Sequence, residues 1–395
     1  MSPLASRRHL LLGAMALPLL QLSPSIARAS STVTVGSAAD LDRALANASA
    51  GTTIVLRNGT YQKSGSFEIQ RNGSSSAPIR IVAENHLGAT IRGDGLLLSG
   101  THIQVSGLRF DNAKATLNRD HCRLSHCSFS GSNGRASVNG AANVVINNNA
   151  FRGWSSRCVS FNPLLDGSGR NPHIHHNYFR DSSNVAIGLG FQEAHQLLRV
   201  NALVEYNLFV NCTHDQIVNI KSSNNRLRHN TIVGGGAFVN RLGIDNSFER
   251  NWCEGGKGIW LSDRNCTASG NRLIDCDILV LAGTITSDQV RGQNGGHPRA
   301  EGARVVDNVA RRTTVGVAWS GFNLPAINTV VDRHNGRVDR DREQGTQISS
   351  TNNSSAGNGA SRLQESQVGP QASSTSAPAA TEPSPAPAEP APSEP

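Results

Sequence analysis

Two basic side chains, Lys221 and Arg241, carry the clearest chemical signal in this 395-residue chain. Lys221 stands nine residues before Asn230, and Arg241 stands ten before Asn251, in segments that echo one another. In a wound chain that spacing brings them to nearly the same place on successive turns, with neighbouring strands about 4.8 Å apart. Two cations side by side on an open face repel each other unless an anion lies between them. The chemistry that would use such a pair is β-elimination of a uronate. The carboxylate is neutralised so that the C5 proton becomes acidic, a base removes that proton, and an acid assists departure of the O4 leaving group. A lysine becomes a usable base when a neighbouring cation and partial desolvation lower its proton affinity from the free value of about 10.4. An arginine, always charged, suits holding a carboxylate or leaving oxygen better than acting unaided as the acid. The competing reading of the two residues is a pair of solvated surface charges that diverge into water.

The elements that would position them are short strands. An asparagine followed by one variable residue and then an apolar one recurs in VVINNNAF (Asn149), IHHNYF (Asn177), VEYNLF (Asn207), LRHNTI (Asn230), FERNWC (Asn251), ASGNRL (Asn271) and VVDNVA (Asn308), at steps of 28, 30, 23, 21, 20 and 37 residues. LSHCSF at Cys127 and VSGLRF at Gly107 continue the series upstream with the asparagine replaced. A repeat near twenty residues built from strands and turns is a solenoid signature, and uneven steps mean insertions at a corner of the coil. The fold expected is all-β, a single-stranded right-handed parallel β-helix. Asparagine is expected to supply the left-handed backbone of a sharp corner and to hydrogen-bond up the stack. Leucine-rich repeats would need a leucine period and a helix in each coil, and a β-propeller would need longer, more even blades. In IVNIKSSN, inward Val218 and Ile220 send Asn219 and Lys221 outward. In AFVNRLG, Phe238 and Arg241 cannot both obey simple alternation, which predicts a bulge or bend there.

Ser37 caps a predicted short helix over 37–48, ahead of the first coil, with Asp40 and Asp42 in its first turn and Leu41 and Leu45 on one face. Residues 1–29 read as a twin-arginine export signal: Arg7-Arg8, an apolar run to Leu20, and Ala27-Arg28-Ala29 before Ser30. The run is too short for a membrane anchor, and the expected location is periplasmic or secreted. The solenoid is expected over 30–344. Residues 345–395, rich in Ser and Asn and then in Pro, Ala and Glu, are expected to be a disordered tail.

The formal charge of +8 falls to about +5 once Arg7, Arg8 and Arg28 are removed, a mild bias compatible with an acidic polymer. Seven cysteines, an odd number without a CxxC pair, read as small buried apolar residues ahead of a disulfide framework.

At these residues the chain resembles polysaccharide lyase family 6, the chondroitinase B and alginate lyase family of parallel β-helices. The resemblance runs from the first mature helix to about Asn308. It is carried by AADLDRALANASAGTTIVLRNGTY, VSGLRFDNA, IHHNYF and, above all, IVNIKSSNNRLRHNTIVGGGAFVNRLG. It implies Lys221 as base and Arg241 as its assistant one coil later, acting on an acidic polysaccharide, with alginate ahead of dermatan-type polymers. Family members that use calcium carry glutamates seven and five residues before the lysine; here those positions are His214 and Gln216, neutral groups that bind a hard cation far more weakly. The resemblance therefore implies a calcium-independent variant, with His214 and Gln216 contacting substrate, or a degraded site. Leu242 follows Arg241 where the family often has histidine. Trp260 occupies a position where relatives often have arginine, and either stacks on a sugar ring or fills an outer groove. No nucleic-acid partner is expected.

The competing classes are a non-catalytic β-helix that binds polysaccharide or serves as an adhesin, and a pectin-type hydrolase. The hydrolase needs clustered aspartates, and Asp263, Asp275 and Asp277 share no register.

Overall fold

The computed structural model describes residues 31–153, 156–191, 193–286, 288, 296–317, 322–334, 336–340, 347–348 and 360–371. The export signal expected over 1–29 lies outside them.

Short alternating segments such as TIVL and IRIVA bury every second residue and pair in parallel with the segment one coil on. Repeated along the chain, this gives a parallel β-helix, as the asparagine repeat predicts. One ladder of fourteen strands runs from Thr32–Val35 to Gln347–Ile348, and a second sheet of twenty strands forms the remaining walls. The helix Ala38–Asn47 precedes the first coil; the Ser37 hydroxyl accepts from the backbone N–H of Asp40, and Leu41 and Leu45 are buried. It is the one α-helix among the described residues, none of which forms a helix long and apolar enough to cross a membrane.

Two ladders of identical side chains hold the coils in register. Phe110, Phe129, Phe151, Phe179 and Phe209 stack at centroid spacings of 4.6, 4.7, 5.0 and 4.9 Å, all fully buried. Asn149, Asn177, Asn207, Asn230, Asn251, Asn271 and Asn308 form the second; each of the first six donates from Nδ2 to Oδ1 of the asparagine one coil on, at 2.9–3.1 Å. The left-handed backbone expected at these asparagines falls one residue earlier, on Asn148, His176, Tyr206, His229, Arg250, Gly270 and Asp307. A side chain that must point into the stack cannot also sit on the outward corner. Four of the asparagines that do adopt positive φ, Asn143, Asn171, Asn201 and Asn224, form an exposed ladder of their own at another corner. All seven cysteines are buried and none forms a disulfide, as expected of small apolar residues.

The tail expectation needs correction. The solenoid passes residue 344, since Gln347–Ile348 pairs with Val330 and Val331. Residues 360–371, expected to be disordered, lie against the outside of the helix. Leu363 and Val368 pack on Ala150, Tyr178 and Leu208, the Tyr178 hydroxyl donates to Glu365 at 2.7 Å, and Gly369 N–H donates to the His176 carbonyl at 2.8 Å. Two apolar residues and a few directed hydrogen bonds, read off poorly by composition, suffice to dock a dozen residues.

Burial fixes an acid limit to stability. His175 is lowered to about 3 by burial and by His173, His176 and Arg123, and His334 to about 4 by burial. An unfolded histidine takes a proton below about 6.5, whereas these native ones do not. Their neutral-state stability is therefore intact above pH 6.5 and is lost as pH falls toward the folded values, at up to about 1.4 kcal/mol per unit for each group. Glu205 opposes its own burial penalty with hydrogen bonds from His173 and Arg228, which hold it at about 2. Its contribution is present above 4.5 and lost as pH falls toward 2. Denaturant titrations from pH 7 to 4 are expected to show falling stability, with a shallower slope in His175→Asn.

Candidate active site on the long-strand face

Three neighbouring strands of the larger sheet are far longer than the other described strands: Leu208–Lys221, Thr231–Leu242 and Trp252–Leu261, of 14, 12 and 10 residues. Elsewhere two separate short strands make the same journey across a corner of the coil. Here the chain crosses it without leaving the sheet, through register shifts between Cys212 and Gln216 and between Gln216 and Val218.

Lys221 and Arg241 sit at the far ends of the first two. Ile220 pairs with Asn240 and Lys221 with Leu242, so Arg241 is the extra residue of a bulge, as the broken alternation predicts. The bulge turns Arg241 to the same outer face as Lys221. The pair shares one electrostatic neighbourhood, because both cations act on the imidazole of His297. Lys221 is 9% exposed and donates from Nζ to the Phe191 carbonyl at 3.0 Å. No carboxylate among the described residues pairs with Arg241.

An inward polar network fixes the strand ends. Asn240, fully buried, donates to the carbonyls of Gly243 (3.0 Å) and Ser262 (2.5 Å), and accepts from Asn246 Nδ2 at 2.7 Å. The Ser262 hydroxyl lies 2.6 Å from the Asn240 carbonyl and 2.9 Å from that of Arg241. Ser222, next to Lys221, donates to the Leu189 carbonyl at 3.2 Å. Asp263 closes the turn, accepting from Gly243 N–H and Gln196 Nε2 at 2.7 Å each. Both cations thus project from backbone held on its inner side, the condition for precise placement.

The other expected site residues lie on the same strands. Trp260 is in register with Val239, which is in register with Asn219, one outward column. Its indole N–H donates to the Lys257 carbonyl at 3.3 Å, leaving the ring on the outer face. His214 and Gln216 lie at the bulged corner. The Gln216 N–H donates to His214 Nδ1 at 3.0 Å, and the Gln216 side-chain oxygen accepts from Asn219. The adjacent acid, Asp215, is exposed and bridges two coils to Lys257 at 2.5 Å, and that lysine holds its carboxyl below the usual range.

A calcium ion, implied by relatives with glutamates at these positions, does not fit this donor set. His214 offers nitrogen, the Gln216 oxygen is already engaged, and no group of three His, Cys, Asp or Glu among the described residues could hold a metal.

Three further groups were missed by sequence reasoning. Phe191, whose carbonyl receives Lys221, carries the Arg157 guanidinium over its ring at 4.1 Å, and Arg157 is half-buried. His297 enters from the step between Asn271 and Asn308. That 37-residue step, the longest in the repeat, was the available signal that an insertion reaches the site.

Residues 35–119 match the family model of chondroitinase B. No curated protein matches the chain. Among solved structures, a family 6 polysaccharide lyase from Pseudopedobacter saltans superposes with TM-score 0.70 at 17% identity, covering 85% of this chain and 98% of its own. A mannuronic-acid-specific family 6 lyase from human gut microbiota gives TM-score 0.67 at 21% identity, covering 81% and 87%. A family 6 alginate lyase in complex with a trisaccharide gives 0.71 at 15%, covering 86% and 95%.

Proposed function

We infer that this chain, which has the fold of the family 6 polysaccharide lyases and the chondroitinase B motif over residues 35–119, is itself a lyase that cleaves a uronic-acid polymer by β-elimination, with alginate as the first substrate to test. The observation that carries the reading is the bulge that turns Arg241 out beside Lys221 on one rigid face. In this reading the polymer crosses the long-strand face past Trp260, the partly exposed member of a column whose other two residues, Asn219 and Val239, are buried. Arg241 takes the uronate carboxylate or the leaving oxygen, and Lys221 removes the C5 proton. Alginate is favoured over dermatan-type polymers because two of the similar structures are described as mannuronic-acid-specific and as an alginate lyase. His214 and Gln216 would contact sugar hydroxyls, and Trp260 would stack on a ring. The twin-arginine signal would deliver the folded protein to the periplasm or beyond.

Because the donor set at His214 and Gln216 does not suit calcium, neutralisation of the carboxylate falls to guanidinium groups. Mature protein incubated with polymannuronate, polyguluronate and dermatan sulfate is expected to generate the ultraviolet absorbance of unsaturated uronate ends on at least one of them. The rate is expected to stay within about twofold when a chelator is added, since no step here needs Lewis-acid help. Loss of activity in chelator with recovery in calcium would overturn the metal-free reading. Retention on immobilised alginate without any product, in every metal condition, would replace the lyase with a binding protein, the reading that the absent glutamates favour.

A further inference from the structure

A lysine base works only if its amine points at one place. The neutral amine carries two N–H groups and one lone pair, and an N–H given to a fixed acceptor confines the direction of that lone pair. For Lys221 the acceptor is the Phe191 carbonyl, 3.0 Å from Nζ. Phe191 belongs to no strand. It stands in the loop that leaves the strand Ile187–Leu189, so its placement depends on side chains around it.

A run of hydrogen bonds supplies that placement. Gly190 turns the chain at φ +84° with its N–H on the Phe161 carbonyl at 2.8 Å. A Cβ there would fall 3.0 Å from the Lys221 carbonyl oxygen and 3.3 Å from His195 Cβ, so the loop lies directly against the strand end. Phe191 N–H donates to His195 Nδ1 at 3.1 Å, in the 3₁₀ turn Glu193–His195. His195 and its neighbour Gln196 are both buried. The Gln196 carbonyl accepts from the Ser223 hydroxyl, two residues past Lys221, and that hydroxyl accepts from Ile244 N–H at 3.0 Å. The Gln196 side chain donates to Asp263 Oδ2 at 2.7 Å, and the same oxygen accepts from Gly243 N–H, two residues past Arg241.

Asp263 therefore joins two branches, one ending on Lys221 and the other on the strand that carries Arg241. It is fully buried, and no Lys, Arg or His among the described residues forms an ion pair with it. Its Oδ1 has no partner among them either, so both bonds fall on Oδ2. The negative charge strengthens each of those bonds relative to a neutral acceptor.

We propose that Asp263 is a positioning residue of the elimination. Through Gln196, His195 and the Phe191 carbonyl it fixes the lysine base, and through Gly243 it fixes the strand end of Arg241, so that one carboxylate sets the two cations relative to each other. The proposal deepens the lyase reading and rests on it. Asp263 and His195 act through other groups and do not themselves exchange protons with substrate.

The test measures kcat, KM and the chemical reactivity of Lys221 in a small set of variants. Asp263→Ala is expected to lower kcat about 10- to 100-fold with KM changed less than about threefold, the order of loss produced by misplacing a reacting group by about 1 Å. Asp263→Asn keeps an oxygen to receive Gly243 and Gln196, and is expected to return kcat to within about fivefold of wild type. His195→Ala is expected to repeat the loss, and the double variant to lose little beyond the larger single effect, because both changes break one chain of contacts. Should Asp263→Ala fail to fold, His195→Ala carries the same comparison, with His195→Asn restoring an acceptor near the place of Nδ1.

A second readout does not depend on turnover. The chain has four lysines, Lys63, Lys114, Lys221 and Lys257, so acylation by an amine reagent can be followed at each by peptide mass. In Asp263→Ala the rate at Lys221 alone is expected to rise by about twofold or more as the side chain is released from Phe191, and to fall back in Asp263→Asn. Asn149→Ala, which loses a buried ladder bond two coils away, is expected to lower the midpoint of thermal unfolding and leave kcat unchanged. Wild-type kcat with unchanged Lys221 reactivity in Asp263→Ala, an asparagine variant as impaired as the alanine one, or a kcat loss that Asn149→Ala reproduces would each overturn the proposal. A wild-type protein that cleaves no uronic-acid polymer would instead overturn the lyase reading beneath it, and a Lys221 reactivity that still followed Asp263 would show the run of hydrogen bonds to be intact.

Discussion

Replacing Lys221 by alanine is expected to lower kcat on the uronic-acid polymer by about 10²- to 10⁴-fold, the contribution of a positioned general base. The fold should survive, because Lys221 projects from the outer face of a sheet whose core residues Val218 and Ile220 stay in place. Circular dichroism and the midpoint of thermal unfolding should therefore stay close to wild type while turnover collapses. Lys221→Arg sharpens the test: it restores a cation of similar reach beside Arg241, but a guanidinium gives up no proton at neutral pH, so the rate should not recover. If the lysine served only to attract the polymer, Lys221→Arg would bring back most of the activity, and the effect of Lys221→Ala would fall on KM. Full kcat in Lys221→Ala would remove the residue from the chemistry altogether.

The largest effect on stability is expected at Asn230, in the middle of the buried ladder. Its Nδ2 donates to the Val204 carbonyl at 2.9 Å and to Asn251 Oδ1 at 3.1 Å, and its Oδ1 accepts from both the backbone and side-chain nitrogens of Asn207 at 3.0 Å. Asn230→Ala breaks these four bonds at once in a place water does not reach. Each buried polar group left unpaired costs about 1–3 kcal/mol, and partial relaxation brings the sum to roughly 3–5 kcal/mol. Because a solenoid is held by contacts between neighbouring coils, the loss should also reduce the cooperativity of unfolding, visible as a lower denaturant m-value. Asn201→Ala is the control. Asn201 belongs to the exposed corner ladder, where water replaces what is lost, and should cost less than about 1 kcal/mol beyond the strain of a positive φ. Equal destabilisation at the two sites would show that burial does not govern the ladder.

The different weights of the two ladders show where reading the sequence succeeds and where it stops. The asparagine repeat is legible because each coil places the same residue in the same environment, so a spatial stack prints itself on the chain as a period. Its backbone role was assigned one residue too late, since a period locates a corner but does not say which of two adjacent residues takes the left-handed turn. The bulge at Arg241 was legible for the same reason as the repeat: an offset of one residue between successive coils has nowhere to go except out of the ladder. The docked segment 360–371 was not legible, because composition averages over a low-complexity tail and misses Leu363 and Val368.

By itself, the sequence determined the winding of the chain, the capping helix, the buried cysteines and the register that puts Lys221 beside Arg241. All of these are periodic or local, and parallel pairing converts sequence spacing directly into distance. Only the tertiary structure decided that Asp215 is spent on Lys257, that Phe191 receives Lys221, and that His297 folds back from an irregular excursion to lie near both cations. An insertion has no period, so where it returns to the coil depends on contacts such as Gly283 against the His297 carbonyl, which form only once the solenoid surface exists.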